Sequence, residues 1–210
     1  MKILISAVVA SLCWLPGAAL AFDYTEGLDL SSNELAPTPL ALQLGINHLE
    51  GSVTTSTGDT RDYITFSIPS SMQLMALRLI RYEQPGGVLG NRGFHSINAG
   101  ATSVIPSAGN EATLLGGAHL DPAPAGTDLL PVLATGAQAG SGFQRPLGHG
   151  TYTYLIQQTG PQISEYELEF VVAPIVPATP PWALLAGALG LLGSCAFLLR
   201  RRTWQFSTPV

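Results

Sequence analysis

Apolar and acidic side chains alternate strictly from residue 165 to residue 170. Glutamates occupy positions 165, 167 and 169, and the positions between and after them hold Tyr166, Leu168, Phe170 and Val172. A period of two residues matches a β-strand, in which successive side chains point to opposite faces of the sheet. This segment is therefore predicted to be a strand with one buried face and one solvated face, so other strands must cover its apolar side.

Other segments supply those strands. Asp62–Ile68 alternates in the same way, and in 73–82 the side chains of Met75, Leu77 and Leu79 are predicted to share one face. Further strand candidates, each bounded by turn residues, are 40–44, 48–55, 93–99, 118–120 and 151–158, with a turn predicted at 45–47. A short helix or a buried turn fits 129–133, and no long amphipathic helix is evident. We therefore predict an all-β fold, an antiparallel β-sandwich.

The N-terminus has the parts of a secretory signal peptide. Lys2 gives a positive start, residues 3–15 are apolar, and Ala19 and Ala21 form the small-x-small pattern that a signal peptidase accepts. We place cleavage after Ala21, so that the mature chain begins at Phe22. The alternative is an uncleaved N-terminal anchor, for which this apolar run is short.

The C-terminal tail contains 18 uncharged residues, Trp182–Leu199, between a proline-rich stretch and the arginines Arg200, Arg201 and Arg202. A helix of this length spans ~27 Å, close to the ~30 Å hydrocarbon core of a bilayer. Because basic clusters stay on the cytoplasmic side, residues from Phe22 to about Val176 are expected outside the cytoplasmic membrane. The tail is therefore predicted to be a single transmembrane helix.

These features divide the chain into five parts. They are a signal peptide (1–21), an irregular leading segment (22–39), a β-sandwich domain (40–175), a tail signal (176–202) with a transmembrane helix at 182–199, and a cytoplasmic tail (203–210).

Charge and cysteine content exclude several classes of function for the exported part. Residues 22–175 hold five arginines and all 14 acidic residues, a net charge of −9 compared with −5 for the whole chain. This balance argues against nucleic acid or anionic lipid as a partner. Both cysteines, Cys13 and Cys195, lie in the two membrane-targeting segments, so the domain has neither a disulfide nor a thiolate metal site.

The tail resembles a PEP-CTERM sorting signal, the C-terminus that exosortases of Gram-negative bacteria recognise. The matching parts, in order, are Val176 and Pro177, then Trp182, a Gly- and Leu-rich run, and the arginine cluster. The Pro-Glu-Pro triplet is replaced by Pro177-Ala178-Thr179, with prolines displaced to Pro180 and Pro181 and no glutamate. The resemblance implies sorting and cleavage near 176–181, and an ordinary C-terminal anchor is the alternative.

The exported domain resembles bacterial pre-peptidase C-terminal domains over about 40–172. The matching pieces are Leu44–Asn47 with Gly51–Val53, Gly58-Asp59, Asp62–Phe66 and Gly150–Gly160. The resemblance implies a β-sandwich in which Asp59 and Asp62 are positioned to hold calcium. Two residues separate these aspartates, where related domains often have one.

Two interpretations of Asp59 and Asp62 stay open. As carboxylates flanking a turn they fit the oxygen ligands of a hard cation. Alternatively, Asp59 caps the turn and Asp62 starts the strand, each bonding local N–H groups, which is the interpretation we favour. The glutamates at 165, 167 and 169 fit the solvated face of an outer strand.

The sequence shows no catalytic motif. There is no Gly-x-Ser-x-Gly, and His48, His95, His119 and His149 lack paired spacing. His119 with Asp121 fits a polar turn better than a catalytic pair. Candidate exposed aromatics for sugar binding are Tyr63, Tyr82 and Phe143.

We therefore predict a non-enzymatic exported surface or extracellular-matrix protein that an exosortase sorts and cleaves. The expected partners are signal peptidase, an exosortase-type enzyme, the membrane through the C-terminal helix, and exopolysaccharide in a biofilm setting implied by the resemblance. No cofactor is expected unless calcium binds at Asp59 and Asp62. The alternatives are a permanently anchored carbohydrate- or calcium-binding module, and a hydrolase with its site in the Gly-rich middle.

Overall fold

The structure is a computed structural model that separates the chain into two compact units, Met1–Pro174 and Ile175–Val210. It describes residues 22–25, 29–56, 58–83, 93–103, 111–120, 126–135, 140–158, 160 and 163–176. The predicted signal peptide and the predicted span 182–199 lie outside these residues. Within the described ranges, no helix is long and apolar enough to cross a membrane.

Within that part of the chain, ten strands and very little helix are present, so the all-β prediction is confirmed. The strands are β1 Phe22–Thr25, β2 Thr38–Leu40, β3 Gly45–Thr54, β4 Arg61–Ile68, β5 Met72–Glu83, β6 Gly93–Ala99, β7 Gly116–Leu120, β8 Thr127–Asp128, β9 Gly150–Gln158 and β10 Ile163–Pro174. A five-residue helix, α1 Leu130–Ala134, lies at the predicted 129–133 position, and Glu111–Thr113 forms a 3₁₀ turn.

The strands form two five-stranded sheets that pack face to face. The first sheet has the order β1-β3-β10-β5-β8 and the second has the order β2-β4-β9-β6-β7. Rings from the two sheets meet in the core: the centroids of Phe66 and Phe170 lie 5.4 Å apart, and those of Tyr154 and Phe170 lie 6.3 Å apart, both edge-on. Aromatic pairs in this arrangement add about 0.5–1.5 kcal/mol beyond the burial of their surface.

The sheets are mixed, which corrects the prediction of a purely antiparallel sandwich. The central pairs β3–β10, β10–β5, β4–β9 and β9–β6 are antiparallel. At one edge of each sheet, however, β1 pairs with β3 and β2 pairs with β4 in parallel. Both parallel strands come from the leading segment, which the sequence shows as aperiodic.

The alternating segment β10 lies in the middle of the first sheet, between β3 and β5. Its tyrosine, leucine and phenylalanine side chains are fully buried against the second sheet, and its glutamates lie on the outer face. The prediction that these glutamates belong to an outer strand is therefore wrong, because strands on both sides pair with β10.

Two local predictions fail for identifiable reasons. The sequence predicts a strand at 40–44 and a turn at 45–47, but β2 ends at Leu40 and β3 begins at Gly45. The side chain of Asn47 closes this bend, since its Oδ1 accepts from Gln43 N at 2.7 Å and its Nδ2 donates to Gln43 O at 2.9 Å. Met75 does not share the buried face of Leu77 and Leu79 but is 44 % exposed, because the β5–β10 register shifts beside it.

The second sheet is buried on both faces over part of its area. Tyr63, Phe94, Leu114 and Leu155 form a small apolar cluster separate from the main core. Tyr63 and Leu155 are paired across β4 and β9 and point away from the first sheet. Leu114, which follows the 3₁₀ turn, contributes to this cluster, and Tyr63 N donates to Ser31 O at 2.8 Å, which holds the leading segment beside β4.

Candidate functional site

The turn between β3 and β4 positions the two aspartates predicted from the sequence. Gly58 has a φ of +86°, a left-handed conformation that a glycine adopts at little cost. The turn is closed by Thr54 N, which donates to Asp59 O at 2.6 Å. The side chain of Asp59 accepts from Ser32 Oγ at 3.2 Å, which connects the turn to the leading segment.

Asp62 points into the sandwich and is fully buried. It is the second residue of β4, and period two places it on the same inward face as Ile64 and Phe66. Its Oδ2 accepts from the Tyr166 hydroxyl of β10 at 2.7 Å, so this contact joins the two sheets. Burying a carboxylate is costly unless hydrogen bonds or opposite charge compensate for the lost hydration.

A third aspartate joins this pair. Asp29, Asp59 and Asp62 offer carboxylate oxygens that all lie within 4.8 Å of one another. Asp29 is exposed, and the buried Leu30 beside it fixes the leading segment to the core. We call these three residues the aspartate cluster. Hard cations such as Ca²⁺ prefer oxygen ligands of this kind.

Sequence reasoning missed Asp29 because nothing in its neighbourhood is periodic. The one usable signal is Leu30, one of a few leucines in a segment rich in Ser, Asn and acidic residues. It is 1 % exposed, so it acts as an anchor that brings the preceding carboxylate to the β3–β4 turn.

The outer face of the first sheet carries rows of opposite charges. Arg81 contacts Glu50, Glu165 at 2.8 Å and Glu167 at 3.9 Å. Arg78 bonds Glu169 at 3.3 Å, and His48 Nδ1 lies 3.8 Å from Glu167. These partners come from β3 and β5 on either side of β10, so the repulsion among its glutamates is offset across strands. An open depression of about 290 Å³ lies over Arg81, Glu50 and Glu165.

His95 lies in the core rather than at the surface. It is completely buried, and its Nδ1 lies 2.8 Å from the Tyr154 hydroxyl. Its Nε2 has no hydrogen-bond partner among the described residues. Loss of hydration lowers the pKa of His95 to about 3, so the ring is neutral at neutral pH. Burial also raises the pKa of Tyr154 well above its usual value.

Several other predicted residues can be placed. Of the candidate sugar-binding aromatics, Tyr63 and Tyr82 are buried, which corrects that expectation, and Phe143 is partly buried against the core. His119 is exposed with its ring 5.0 Å from Phe94, and His149 is exposed.

The processing motifs fall mostly outside the described residues. Phe22, the expected mature N-terminus, begins β1, whereas Ala19 and Ala21 lie outside the described residues. Val176, the start of the sorting motif, is 79 % exposed. The rest of that motif lies outside the description: Pro177, Pro180, Pro181, Trp182, Arg200, Arg201 and Arg202.

Comparison with known proteins assigns no family to this chain. No protein-family model matches it, and no curated protein sequence matches it.

Proposed function

We propose that this chain is an exported, non-enzymatic surface or extracellular-matrix protein delivered by its two terminal segments. A signal peptidase removes residues 1–21, and an exosortase-type enzyme recognises and cleaves the tail near 176–181. The product remains at the cell surface or in an exopolysaccharide matrix. The transmembrane tail holds the chain at the cytoplasmic membrane, with the sandwich outside, until that cleavage.

One observation carries this proposal. The first described strand, β1, starts at Phe22, and the last, β10, ends at Pro174, so the described strands lie between the two predicted cleavage positions. Removal of residues 1–21 and of the tail beyond 176 would therefore leave every described strand intact. A domain without cysteine is also compatible with the oxidising envelope, because its stability depends on the core alone.

Mass spectrometry of the protein purified from its native host tests the proposal. The expected mature species starts at Phe22 and ends between Val176 and Pro181. A matched variant, in which Arg200, Arg201 and Arg202 are replaced by alanine, should retain its tail because the sorting motif is incomplete. Recovery of wild-type protein with an intact Arg200–Val210 segment rules out sorting by cleavage, and recovery of residues 1–21 rules out signal-peptide removal.

A second candidate function, calcium binding, is favoured by the aspartate cluster. We propose that a calcium ion binds between Asp29 and Asp59 and offsets the buried charge of Asp62. The convergence of three carboxylates within 4.8 Å supports this, since Asp29 adds a ligand that the sequence did not indicate. Calcium would then fix the leading segment against the β3–β4 turn.

Thermal unfolding with calcium or with a chelator tests this second candidate. If the affinity matches extracellular calcium modules, with Kd of about 10⁻⁴–10⁻³ M, 10 mM calcium stabilises the fold by roughly 1.4–2.7 kcal/mol. Asp29→Asn and Asp59→Asn should lose most of this gain, and Asp23→Asn, an exposed aspartate on β1, should keep it. Equal melting temperatures in calcium and chelator would remove the candidate.

A further inference from the structure

Both chain segments that lead to the predicted membrane-targeting sequences leave the first sheet at the same end. Phe22, the first residue of β1, pairs with Asn47 of β3, and Asn47 lies opposite Phe170 of β10. β10 ends at Pro174, four residues farther on, so the two junctions differ by about 14 Å along the strands. We call the end of the first sheet that contains Phe22, Gly45 and Pro174 the tether end.

The opposite end of the same sheet carries the aspartate cluster. β3 runs from Gly45 at the tether end to Thr54, and the turn that follows it holds Asp59. β4 then starts with Arg61 and Asp62 and returns toward the tether end. The sandwich therefore has one end with both junctions and another with the acidic side chains.

The outer face of the first sheet changes from charged to apolar toward the tether end. Ile46, Val171 and Ala76 face one another across β3, β10 and β5, and the next outward row is His48, Glu169 and Arg78. Beside the apolar row, Leu44 is 43 % exposed and Met75 is 44 % exposed, and Ile46 itself is 38 % exposed. We call the set Leu44, Ile46, Met75, Ala76 and Val171 the apolar corner.

The tether is too short to keep this corner far from a bilayer. Trp182, the first residue of the uncharged run, is the eighth residue after Pro174. A fully extended chain of eight residues spans at most ~28 Å, less than the length of many small domains. Before cleavage of the tail, the tether end is therefore held within a short distance of the lipid headgroups.

We propose that the apolar corner is a membrane-contact surface that rests on the outer lipid leaflet while the tail anchors the chain. This inference rests on the proposed function, because it requires the tail to be in the membrane. Exposed aliphatic and thioether side chains fit the boundary between headgroups and acyl chains. The glutamates that follow the apolar corner on the same face repel anionic headgroups. The surface that the corner contacts is therefore a zwitterionic lipid surface. In this orientation the aspartate cluster faces away from the membrane.

Site-specific fluorescence on the full-length protein tests the orientation. Cysteine is introduced by Ile46→Cys or by Met75→Cys in a Cys13→Ser, Cys195→Ser background and labelled with an environment-sensitive dye. The matched control, Thr55→Cys, labels an exposed position just beyond the far end of β3. The protein is reconstituted through its tail into phosphatidylcholine–phosphatidylethanolamine vesicles, with or without a spin label near the lipid headgroup.

Dye at 46 and at 75 should be quenched roughly twofold by the spin-labelled lipid and dye at 55 only slightly, because interfacial side chains lie ~5–10 Å deep. Vesicle flotation reports whether the tail holds the protein in the membrane, so it distinguishes the membrane-contact proposal from the proposed anchoring. Protein that floats but shows no quenching at 46 and 75, or equal quenching at all three positions, overturns this inference and leaves the anchoring intact. Protein that does not float overturns both. Cross-linking of two copies of the Ile46→Cys variant through the introduced thiol, without quenching, assigns the corner to a second copy and also overturns it.

Discussion

Acid should destabilise this fold through the buried His95. The ring is neutral in the folded state, where burial lowers its pKa to about 3, and it takes up a proton in the unfolded chain with an ordinary pKa of about 6.5. Above pH 6.5 neither state is protonated, so His95 contributes no pH dependence. Between pH 6.5 and about 3 only the unfolded state binds the proton, so stability falls as the pH falls.

The size of the effect follows from those two values. Each pH unit in this window lowers the free energy of unfolding by about 1.36 kcal/mol. From pH 7.5 to pH 5.0 the loss is about 2 kcal/mol, and it approaches about 5 kcal/mol near pH 3. The interval above pH 5 is the informative one, since carboxylates with ordinary pKa values remain ionised there. A loss of about 2 kcal/mol is a large part of the roughly 5–15 kcal/mol typical of a domain.

The assay is urea denaturation of residues 22–176 at pH 7.5 and 5.0. His95→Gln keeps a polar group beside Tyr154 but cannot bind a proton, so its loss between the two pH values should shrink by about 2 kcal/mol whatever its absolute stability. His149→Gln changes an exposed histidine and should retain the full wild-type loss. The reasoning is refuted if the His95→Gln and wild-type proteins lose equal stability on acidification.

Three further perturbations follow from the packing. Gly93→Ala should destabilise the fold by about 1–3 kcal/mol in thermal melts, because a Cβ there overlaps Tyr82 Oη and lies 3.1 Å from His95 Nε2. The control Gly148→Ala should be near neutral, since the space around Gly148 is open. Tyr166→Phe removes the hydroxyl that donates to the buried Asp62 carboxylate, so urea denaturation should show a loss of about 1.5–3 kcal/mol, and an unchanged midpoint contradicts this account. Arg81→Met leaves three glutamates without their shared cation and should cost about 1 kcal/mol at low salt. That loss should shrink in 1 M NaCl, since these side chains are partly exposed and screened; a salt-independent loss indicates a packing effect instead.

The sequence predicted the central strands well because the side-chain pattern of each strand reflects which of its faces is buried. In β4 and β10 apolar residues alternate with polar ones, and β9 is rich in aromatic and β-branched residues. The observed bounds of these three strands lie within two residues of the predicted bounds. For β6 the predicted and observed bounds are the same, Gly93–Ala99. In these strands the local pattern and the tertiary environment agree.

The failures share a physical cause, which is that pairing partners are set by distant parts of the chain. β1 and β2 are edge strands of four and three residues, too short to show a period, and their parallel pairing depends on where β3 and β4 lie. Met75 is exposed because of a register shift with β10, which comes much later in the sequence. Tyr63 is buried although period two places it outward, because Phe94, Leu114 and Leu155 pack with it on that face.

The candidate site also combines residues with a local sequence signal and a residue that only the tertiary structure identifies. Asp59 and Asp62 could be identified from the sequence because the Gly-Asp turn and the strand that follows are local signals. Asp29, in contrast, is brought to them by the burial of Leu30 and by the Ser31–Tyr63 and Ser32–Asp59 hydrogen bonds. The leading segment therefore has three consequences that its composition does not show. It adds a carboxylate to the cluster, it hydrogen-bonds to β4 of the second sheet, and it places Phe22 at the tether end of the first sheet. A deletion of residues 29–36 should consequently impair the calcium response and the packing around Tyr63 together. Asp59→Asn should weaken the calcium response and leave the packing around Tyr63 intact, since the Asp59 side chain contacts the leading segment through the exposed Ser32 hydrogen bond and belongs to a turn rather than to either core.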